Sequence, residues 1–424
     1  MNKNGLRILW MSNAPWCPTG YGVQANKIIP FLKSRAEVDD VGLFAYYGIQ
    51  GGVTKQKVGN YNITCYPLGL NPYGNDVVNE WVKDFKADIL ITLLDVFITS
   101  EDFGTQGFYW LPYAPIDHDP LPQAFVQRFR NAYKPIVYSK FAQKKMNEAG
   151  LEFWYAPHGV ETNIFKPYSA ADRKKAREWL GLTEDTFVVG MVAANKDHDD
   201  RKGFNQAMAG FYNLVEKYPD CELYLHSLVT PEMGGYDLIG MAQTYGIIDK
   251  VRFTLREKIL MGLAREDMVN MYNAFDVLLN PCHRAGFEIP LIESQACGVP
   301  VICGDWHSMT ELCGSGWLVE AGQKRFSPLG SFTYVPSVTS VTECLMDAYE
   351  NKGNSKHQQN ARDFAMEYDW KYVLGKYWGS IVARLDDELS VKDRLPVPAE
   401  EIRMMLNRVP FEGTVEEVEA EVGL

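Results

Sequence analysis

The 424-residue chain has little of several features that define large classes of protein. No apolar run approaches the roughly 18 residues that a membrane-spanning helix needs, so an integral membrane protein is not predicted. The eight cysteines form no C-x-x-C pair and no repeating frame, which disfavours a zinc ribbon and a disulfide scaffold. The start of the chain also lacks the apolar core of a signal peptide. We therefore expect a cytoplasmic protein with reduced thiols.

Positive charge is also scarce. The chain has 42 lysines and arginines against 54 aspartates and glutamates, which gives a formal net charge of −12. This balance argues against wholesale binding to a polyanion but does not exclude a local basic groove. The hydrophobic content of 46% predicts a globular protein, and 424 residues are too many for one hydrophobic core. Two domains are therefore expected.

Strand and helix patterns alternate along most of the chain. An apolar strand pattern at residues 6–11 precedes a turn-rich loop and a helical pattern, and further units follow up to about residue 165. Residues 155–167 are punctuated by proline, glycine and asparagine, and a second alternating series opens at residues 186–194. Alternation of this kind predicts an α/β class with parallel sheets in two domains, divided near residue 167.

Two loops of the first half carry candidate functional groups. Gly20 and Gly22 lie at a helix start, where glycine lets backbone N–H groups approach a phosphate or a sugar. An ordinary strand-to-helix turn is the alternative. Residues 117–119, Asp-His-Asp, follow a predicted strand, as the acidic run at residues 197–200 does in the second half. Either run could hold a divalent metal, but solvated loop residues are the favoured interpretation and no metal site is predicted.

Cations cluster after the first strand of the second half. Lys196, Arg201 and Lys202 precede Gly203 and a helical pattern. Arginine and lysine beside a helix N-terminus can bind a diphosphate and neutralise it as it leaves. A solvated basic turn is the alternative if this motif is taken alone.

The stretch at residues 277–302 predicts a strand, a glycine-containing loop, a short helix and a second strand. Pro290 suits the first helical position and Gly298 suits a left-handed helix end, which leaves about two turns. Glu293 is then expected in the first turn, where a carboxylate can accept hydrogen bonds from a ligand hydroxyl. In parallel sheets ligands bind beyond the carboxyl ends of the strands, so the loop at residues 284–289 is a candidate binding site.

Four segments in order resemble a glycosyltransferase of the GT-B fold, and specifically the retaining family four. They are the first strand with Gly20-Tyr21-Gly22, residues 138–167, residues 201–204, and residues 286–302 followed by Glu311. The resemblance covers about residues 5 to 385. It implies two Rossmann-like domains that face a central cleft, with a C-terminal helix that crosses back to the first domain. The implied segments are an acceptor domain at 1–167, a nucleotide-sugar domain at 168–365, a crossover helix at 366–390 and an acidic peripheral tail at 391–424.

The resemblance also implies roles for single residues. His118 is expected near the donor sugar, Arg201 and Lys202 on the leaving diphosphate, and Glu293 on the ribose hydroxyls. It implies no catalytic metal and no cofactor beyond the nucleotide-diphosphate sugar, which is a co-substrate. The further donor-binding candidates are Gly20, Gly22, Lys196, Gly286, Phe287, Glu288 and Ile289.

One departure from the family pattern concerns its carboxylate pair, which is written Glu, seven residues, Glu. Counting back from Glu293 places Ala285 where the first carboxylate, the contact to the donor sugar, is expected. Glu288 stands where the family favours a small glycine. It either supplies the missing carboxylate from a shifted position or points to solvent. Arg284 and His283 could also reshape this pocket.

The leading functional hypothesis is transfer of a sugar from a nucleotide-diphosphate sugar to an acceptor with retention of configuration. The alternative is a catalytically weakened GT-B module that binds a sugar nucleotide or a partner without transfer. A sugar-nucleotide epimerase is disfavoured, because the motifs follow the transferase branch. The acceptor stays open among envelope glycans or lipids, proteins, small molecules and hydroxymethylated bases of viral DNA, and no oligomeric state is predicted.

Overall fold

The computed structural model describes residues 5–105 and 107–390. Two mainly parallel sheets, one of eight strands and one of six, are each flanked by helices, and a separate two-stranded hairpin lies near the second sheet. The predicted α/β class with two parallel sheets is confirmed. Within the described residues, no helix is both long and apolar enough to span a bilayer.

The first sheet has the strand order β3-β4-β2-β1-β5-β6-β7-β8, and every pair is parallel except β3 with β4. Its strands are β1 Leu6–Asn13, β2 Val38–Tyr47, β3 Thr54–Val58, β4 Tyr61–Tyr66, β5 Ile89–Leu93, β6 Tyr109–Ala114, β7 Ile136–Val137 and β8 Trp154–Tyr155. Its helices are α1 Gly20–Lys33, α2 Val78–Phe85, α3 Gln123–Asn131 and α4 Lys140–Glu148.

The second sheet has the order β11-β10-β9-β12-β13-β14, and all of its pairs are parallel. Its strands are β9 Phe187–Val192, β10 Cys221–His226, β11 Val251–Phe253, β12 Val277–Asn280, β13 Val301–Gly304 and β14 Gly316–Val319, and the hairpin is β15 Ala321–Ser327 with β16 Ser331–Pro336. The helices are α5 Ala170–Trp179, α6 Phe204–Lys217, α7 Leu238–Thr244, α8 Arg256–Met261, α9 Arg265–Ala274, α10 Ile289–Ala296, α11 His307–Leu312, α12 Val338–Glu350 and α13 Ser355–Met366.

The strands are apolar because helices cover both faces of each sheet. All five residues of β5 and all four of β12 are buried. Gly190 in β9 lets Phe275 pack directly on the backbone, since a Cβ there would lie 2.1 Å from the ring. This packing fixes the strand ends from which the functional loops emerge.

The last described helices pack against the first sheet. They comprise α14 Trp370–Val373, a π-helical turn Leu374–Trp378 and α15 Gly379–Ser390. The ring of Trp378 is fully buried, with centroids 5.7 Å from Trp10 and 5.2 Å from Tyr113. The predicted domain boundaries remain predictions, and the predicted acidic tail at 391–424 lies outside the described residues.

Two antiparallel hairpins have no counterpart in the sequence-based expectations. The β3–β4 pair turns at Gly59 and Asn60, and Gly59 has a φ of 58°. A glycine-containing two-residue turn between alternating segments was the available signal. The β15–β16 hairpin reaches the first half, because the Phe332 N–H donates to the Asp119 carbonyl at 3.0 Å. That contact joins residues 213 positions apart in the sequence, and no local pattern encodes it.

Candidate functional site

The strand orders place a crevice at the carboxyl end of each sheet. In the second sheet β9 and β12 are neighbours, and the chain winds outward from them in both directions. In the first sheet the same reversal falls between β1 and β5. Loops after such strands diverge and leave room for a ligand. The candidate residues after β9 and β12 therefore share one site.

Two helix N-termini meet across the cleft between the sheets. Gly20 is the first residue of α1 and Ile289 is the first residue of α10. A Cβ on Gly20 would lie 3.3 Å from Ile289 Cδ1. The partial positive charges of the two helix ends are thus directed at neighbouring space.

Gly22 and Gly286 are required by close packing. A Cβ on Gly22 would lie 2.5 Å from the Cys17 carbonyl oxygen, inside the turn that Thr19 caps. A Cβ on Gly286 would lie 2.7 Å from Pro115 Cβ, in the first half of the chain. Both glycines therefore have a structural role, whatever they also do for a ligand.

Phe287 anchors the loop before α10 against two rings of the first half of the chain and one that follows α13. Its ring centroid lies 5.0 Å from that of His158 and 6.0 Å from those of Tyr138 and Tyr368. All three pairs are edge-to-face, a favourable aromatic geometry. Phe287 thus holds the loop at residues 284–289 in the cleft.

Lys202 and Glu288 form a buried ion pair. Lys202 Nζ donates to Glu288 Oε1, and Asn280 Nδ2 donates to Glu288 Oε2 at 3.1 Å. Burial disfavours the charged carboxylate, but the Lys202 and Arg201 cations hold the pKa of Glu288 below its usual range. Glu288 is only 5% exposed, so of the two alternatives for this residue the one in which it points to solvent is wrong.

Arg201 is paired in a similar way. Its Nε donates to Asp197 Oδ2 at 2.9 Å, and its carbonyl accepts from the His283 N–H at 2.7 Å. Burial disfavours the charge, yet anionic neighbours that include Asp197 and Glu288 raise the pKa of Arg201 above its usual range. Arg201 and Lys202 thus bring two cations and two carboxylates to one edge of the sheet.

Lys196 lies in the same loop but is exposed. The charges of Arg201, Lys196 and Arg284 act across the cleft on Asp95, whose pKa is nevertheless raised by burial and by the neighbouring Asp117. Lys196 is therefore a cation of the second half whose charge reaches Asp95 of the first.

Glu293 lies in the second turn of α10, so the expectation of a first-turn position is wrong. The helix begins at Ile289, one residue before Pro290, and Glu288 is its N-cap. The two-turn length and the left-handed Gly298, with a φ of 75°, are confirmed. The Tyr272 hydroxyl donates to Glu293 Oε2 at 2.8 Å, and burial raises the pKa of Glu293 to about 7.

His118 is inside the protein and only 1% exposed. Its Nδ1 lies 2.7 Å from Asp117 Oδ1, and its ring packs edge-on against Phe125 at a centroid distance of 4.9 Å. Asp117 Oδ2 is 3.7 Å from an Arg284 guanidinium nitrogen. Asp117 therefore lies between His118 and Arg284, and the expected place of His118 near the donor sugar remains a prediction.

The two acidic runs do not converge on a metal site. Asp119 binds Lys145 Nζ at 2.7 Å, Asp199 lies 3.3 Å from Arg325, and the Asp200 carboxylate caps α6 through the Phe204 N–H at 2.8 Å. Across the described parts of the chain, no group of three His, Cys, Asp or Glu side chains is arranged for a metal ion.

Three cleft residues were not predicted as site residues. Asp95 follows β5, and Tyr21 and Tyr138 lie near enough to it for its charge to raise their pKa values, in addition to a larger effect of burial. A carboxylate two positions after a fully buried strand was an available signal for Asp95. For the tyrosines no signal distinguished them from the many core aromatics.

Comparisons with known proteins agree with this architecture. Residues 186–326 match the family model described as "Glycosyl transferases group 1". The D-inositol 3-phosphate glycosyltransferase of Actinosynnema mirum is 31% identical over 152 residues, which are 34% of either chain. A Corynebacterium glutamicum protein named GDP-mannose-dependent monoacylated alpha-(1-6)-phosphatidylinositol monomannoside mannosyltransferase is 28% identical over 159 residues, 36% of this chain and 38% of that one. The match thus spans about a third of the length of these curated relatives.

Solved structures match over a greater length. The sucrose-phosphate synthase of Thermosynechococcus elongatus has a TM-score of 0.70 at 16% identity, over 90% of this chain and 100% of the other. Anabaena HepE in complex with UDP and glucose has a TM-score of 0.63 at 17% identity, over 89% and 100%. At these identities the likeness shows the fold, which is GT-B. Together with the group 1 match, it confirms the resemblance to family-four-like GT-B glycosyltransferases that the sequence motifs predicted.

Proposed function

We propose that the protein is a retaining glycosyltransferase that moves a sugar from a nucleotide-diphosphate sugar to an acceptor hydroxyl. The observation that carries the proposal is the convergence of Arg201, Lys202 and the α10 N-terminus at the point where the second sheet reverses its winding. The bond between the anomeric carbon and the diphosphate breaks during transfer. Fixed positive charge at that point stabilises the departing diphosphate, which is often the largest single contribution to catalysis.

The existing ion pairs determine which charges a bound diphosphate would meet. Arg201 is paired with Asp197 and Lys202 with Glu288, so the four side chains carry no net charge before a ligand arrives. A diphosphate would share the two cations with these carboxylates. The helix N-terminus and exposed Lys196 add positive potential to balance the incoming charge.

Glu293 is the proposed ribose contact. Tyr272 holds one of its carboxylate oxygens, which leaves the other to accept a hydroxyl hydrogen bond. Relatives support a nucleotide donor in general, since one is named for GDP-mannose and one was solved with UDP.

The remaining parts of the proposal concern cofactors, acceptor and location. We propose that the reaction needs no metal or cofactor, because the cations of the site supply the charge. The proposed acceptor belongs to one of the classes that the sequence analysis named: an envelope glycan or lipid, a protein, a small molecule, or a hydroxymethylated base of viral DNA. Eight free cysteines support a reducing compartment such as the cytoplasm.

The test is a donor screen with UDP-glucose, UDP-galactose, UDP-N-acetylglucosamine and GDP-mannose. Binding is followed by calorimetry, and slow hydrolysis is followed by release of UDP or GDP. We expect one donor to bind and to release its nucleoside diphosphate. Absence of binding by every donor would overturn the proposal.

A second candidate function, binding without transfer, is favoured by one observation. Ala285 is 2% exposed and carries no polar side chain where related enzymes are expected to have a carboxylate. Nucleotide binding without any release of UDP or GDP would favour this candidate.

A further inference from the structure

His307 adopts a backbone conformation that side chains rarely take. It follows β13 at the carboxyl edge of the second sheet and starts α11 with a φ of 55°. In the described residues only Lys86 and Asp200 share a positive φ without being glycine. Because glycine would fit this position without strain, the presence of histidine calls for an explanation from its side chain.

Hydrogen bonds on both sides fix the position of His307. The preceding Trp306 donates from Nε1 to the Cys282 carbonyl at 3.1 Å, and the following Ser308 donates from Oγ to the Ala285 carbonyl at 2.8 Å. Both acceptors belong to the loop after β12. His307 is therefore tied to the loop in which the expected sugar-binding carboxylate is missing.

The imidazole is enclosed but unpartnered. It is 6% exposed, and its ring packs edge-on against Phe141 of α4 at 5.0 Å and Tyr334 of β16 at 5.4 Å. Neither ring nitrogen has a hydrogen-bond partner among the described residues. Buried polar atoms are normally paired, so an unpaired buried imidazole is a candidate ligand contact.

The surroundings indicate what kind of ligand would pair with it. Asp117, His118 and Asp119 of the first half and Arg284 of the second lie close enough for their charges to act on the ring. Burial lowers the pKa of His307 to about 4, so the ring is neutral near pH 7. A neutral imidazole offers one donor and one acceptor, which suits hydroxyl groups better than a diphosphate.

We propose that His307 binds hydroxyl groups of the transferred sugar and takes the place of the carboxylate absent at Ala285. The inference rests on the proposed function, because it assumes a sugar-nucleotide donor in the cleft. It assigns the sugar end of the donor to residues 306–308 and the diphosphate end to Arg201 and Lys202. His307 is thus a residue that determines sugar specificity.

The test compares His307→Gly with wild type. Glycine fits the backbone and removes only the ring, and His357→Ala is the control because His357 stacks on Trp317 away from the cleft. Affinities for UDP-glucose, UDP-galactose, UDP-N-acetylglucosamine and GDP-mannose are compared with those for UDP and GDP. We expect His307→Gly to weaken the preferred donor about tenfold and to leave its nucleoside diphosphate unchanged.

An unchanged ratio between the two affinities would overturn the inference while leaving the proposed function intact. Failure of wild type to bind any of the six probes would overturn both. If His307→Gly does not fold by circular dichroism, His307→Asn is used, because asparagine tolerates this φ. Asparagine keeps a donor and an acceptor on a shorter side chain, so the same selective loss is expected and an unchanged ratio again contradicts the inference.

Rescue gives a second readout. The double variant Ala285→Glu with His307→Gly should recover part of the lost sugar-nucleotide affinity. The new carboxylate would lie in the loop after β12, to which Trp306 and Ser308 hold His307. Recovery requires that the ring and the carboxylate serve the same end of the donor. A double variant that folds and binds the donor no better than His307→Gly would contradict the replacement of one group by the other.

Discussion

The two edges of the cleft differ in how their polar groups are satisfied. On the second sheet's side, Arg201 and Lys202 are each held by a carboxylate from the same half of the chain. On the first sheet's side, Asp95 lies near Tyr21 and Tyr138, and Asp117 approaches Arg284 of the opposite half. We therefore propose that the second sheet's side is a preassembled donor edge, and that the first sheet's side is an acceptor edge whose charges are balanced partly across the cleft.

The largest expected effect concerns the donor edge. Lys202→Ala should reduce the rate of transfer or donor hydrolysis by about 100- to 1000-fold, because a cation that stabilises the leaving group is lost. The measurement is the release of the nucleoside diphosphate under saturating donor.

The control for Lys202→Ala measures thermal stability, because this single variant leaves Glu288 buried without its cationic partner. Lys202→Ala with Glu288→Ala should recover thermal stability but no activity. Wild-type activity in the single variant would remove the diphosphate assignment and with it the contrast between the edges.

The raised pKa of Glu293, on the donor edge, predicts a pH-dependent stability. Its pKa is raised from 4.5 to about 7 in the folded protein, so the folded state binds more protons than the unfolded state between these values. The contribution of Glu293 to the free energy of unfolding therefore falls by up to about 3 kcal/mol as pH rises from 4.5 to about 7. Urea unfolding of wild type and Glu293→Gln at pH 4.5 and pH 7.5 measures the difference. Equal pH dependence in both proteins would refute the raised pKa.

Glu311 joins the two edges. Its carboxylate accepts from the Lys140 N–H at 2.8 Å and the Phe141 N–H at 2.9 Å, at the N-terminus of α4. Glu311→Ala should lower the free energy of unfolding by about 1–2 kcal/mol, as the loss of a helix N-cap does. Urea unfolding is again the measurement, with exposed Glu343→Ala as the control. Equal stability of the two variants would contradict the contact.

The smallest expected effect concerns the acceptor edge. Asp95→Asn should lower kcat/KM for the acceptor severalfold and leave donor hydrolysis unchanged, because Asp95 lies on the first sheet's side. Steady-state kinetics with varied acceptor measure this once an acceptor is identified. A loss of donor hydrolysis instead would assign Asp95 to the donor edge.

The sequence predicted the parts of the site that local patterns encode. Gly298 has the φ that ends a helix, and Arg201 and Lys202 lie after β9 as the alternation of strands required. The sequence predicted Glu293 in the first turn of α10, whereas it lies in the second, because α10 starts one residue before Pro290. Helix boundaries depend on contacts beyond the helix. His307 was missed because its position is set by Trp306 and Ser308 reaching a loop more than 20 residues earlier.

A crystal structure with the preferred nucleoside diphosphate bound tests the central claim most directly. We expect the diphosphate to lie between Arg201, Lys202 and the N-terminus of α10, with a ribose hydroxyl on Glu293. A nucleotide bound elsewhere, with the Lys202 to Glu288 and Arg201 to Asp197 pairs undisturbed and the α10 N-terminus free, would contradict it.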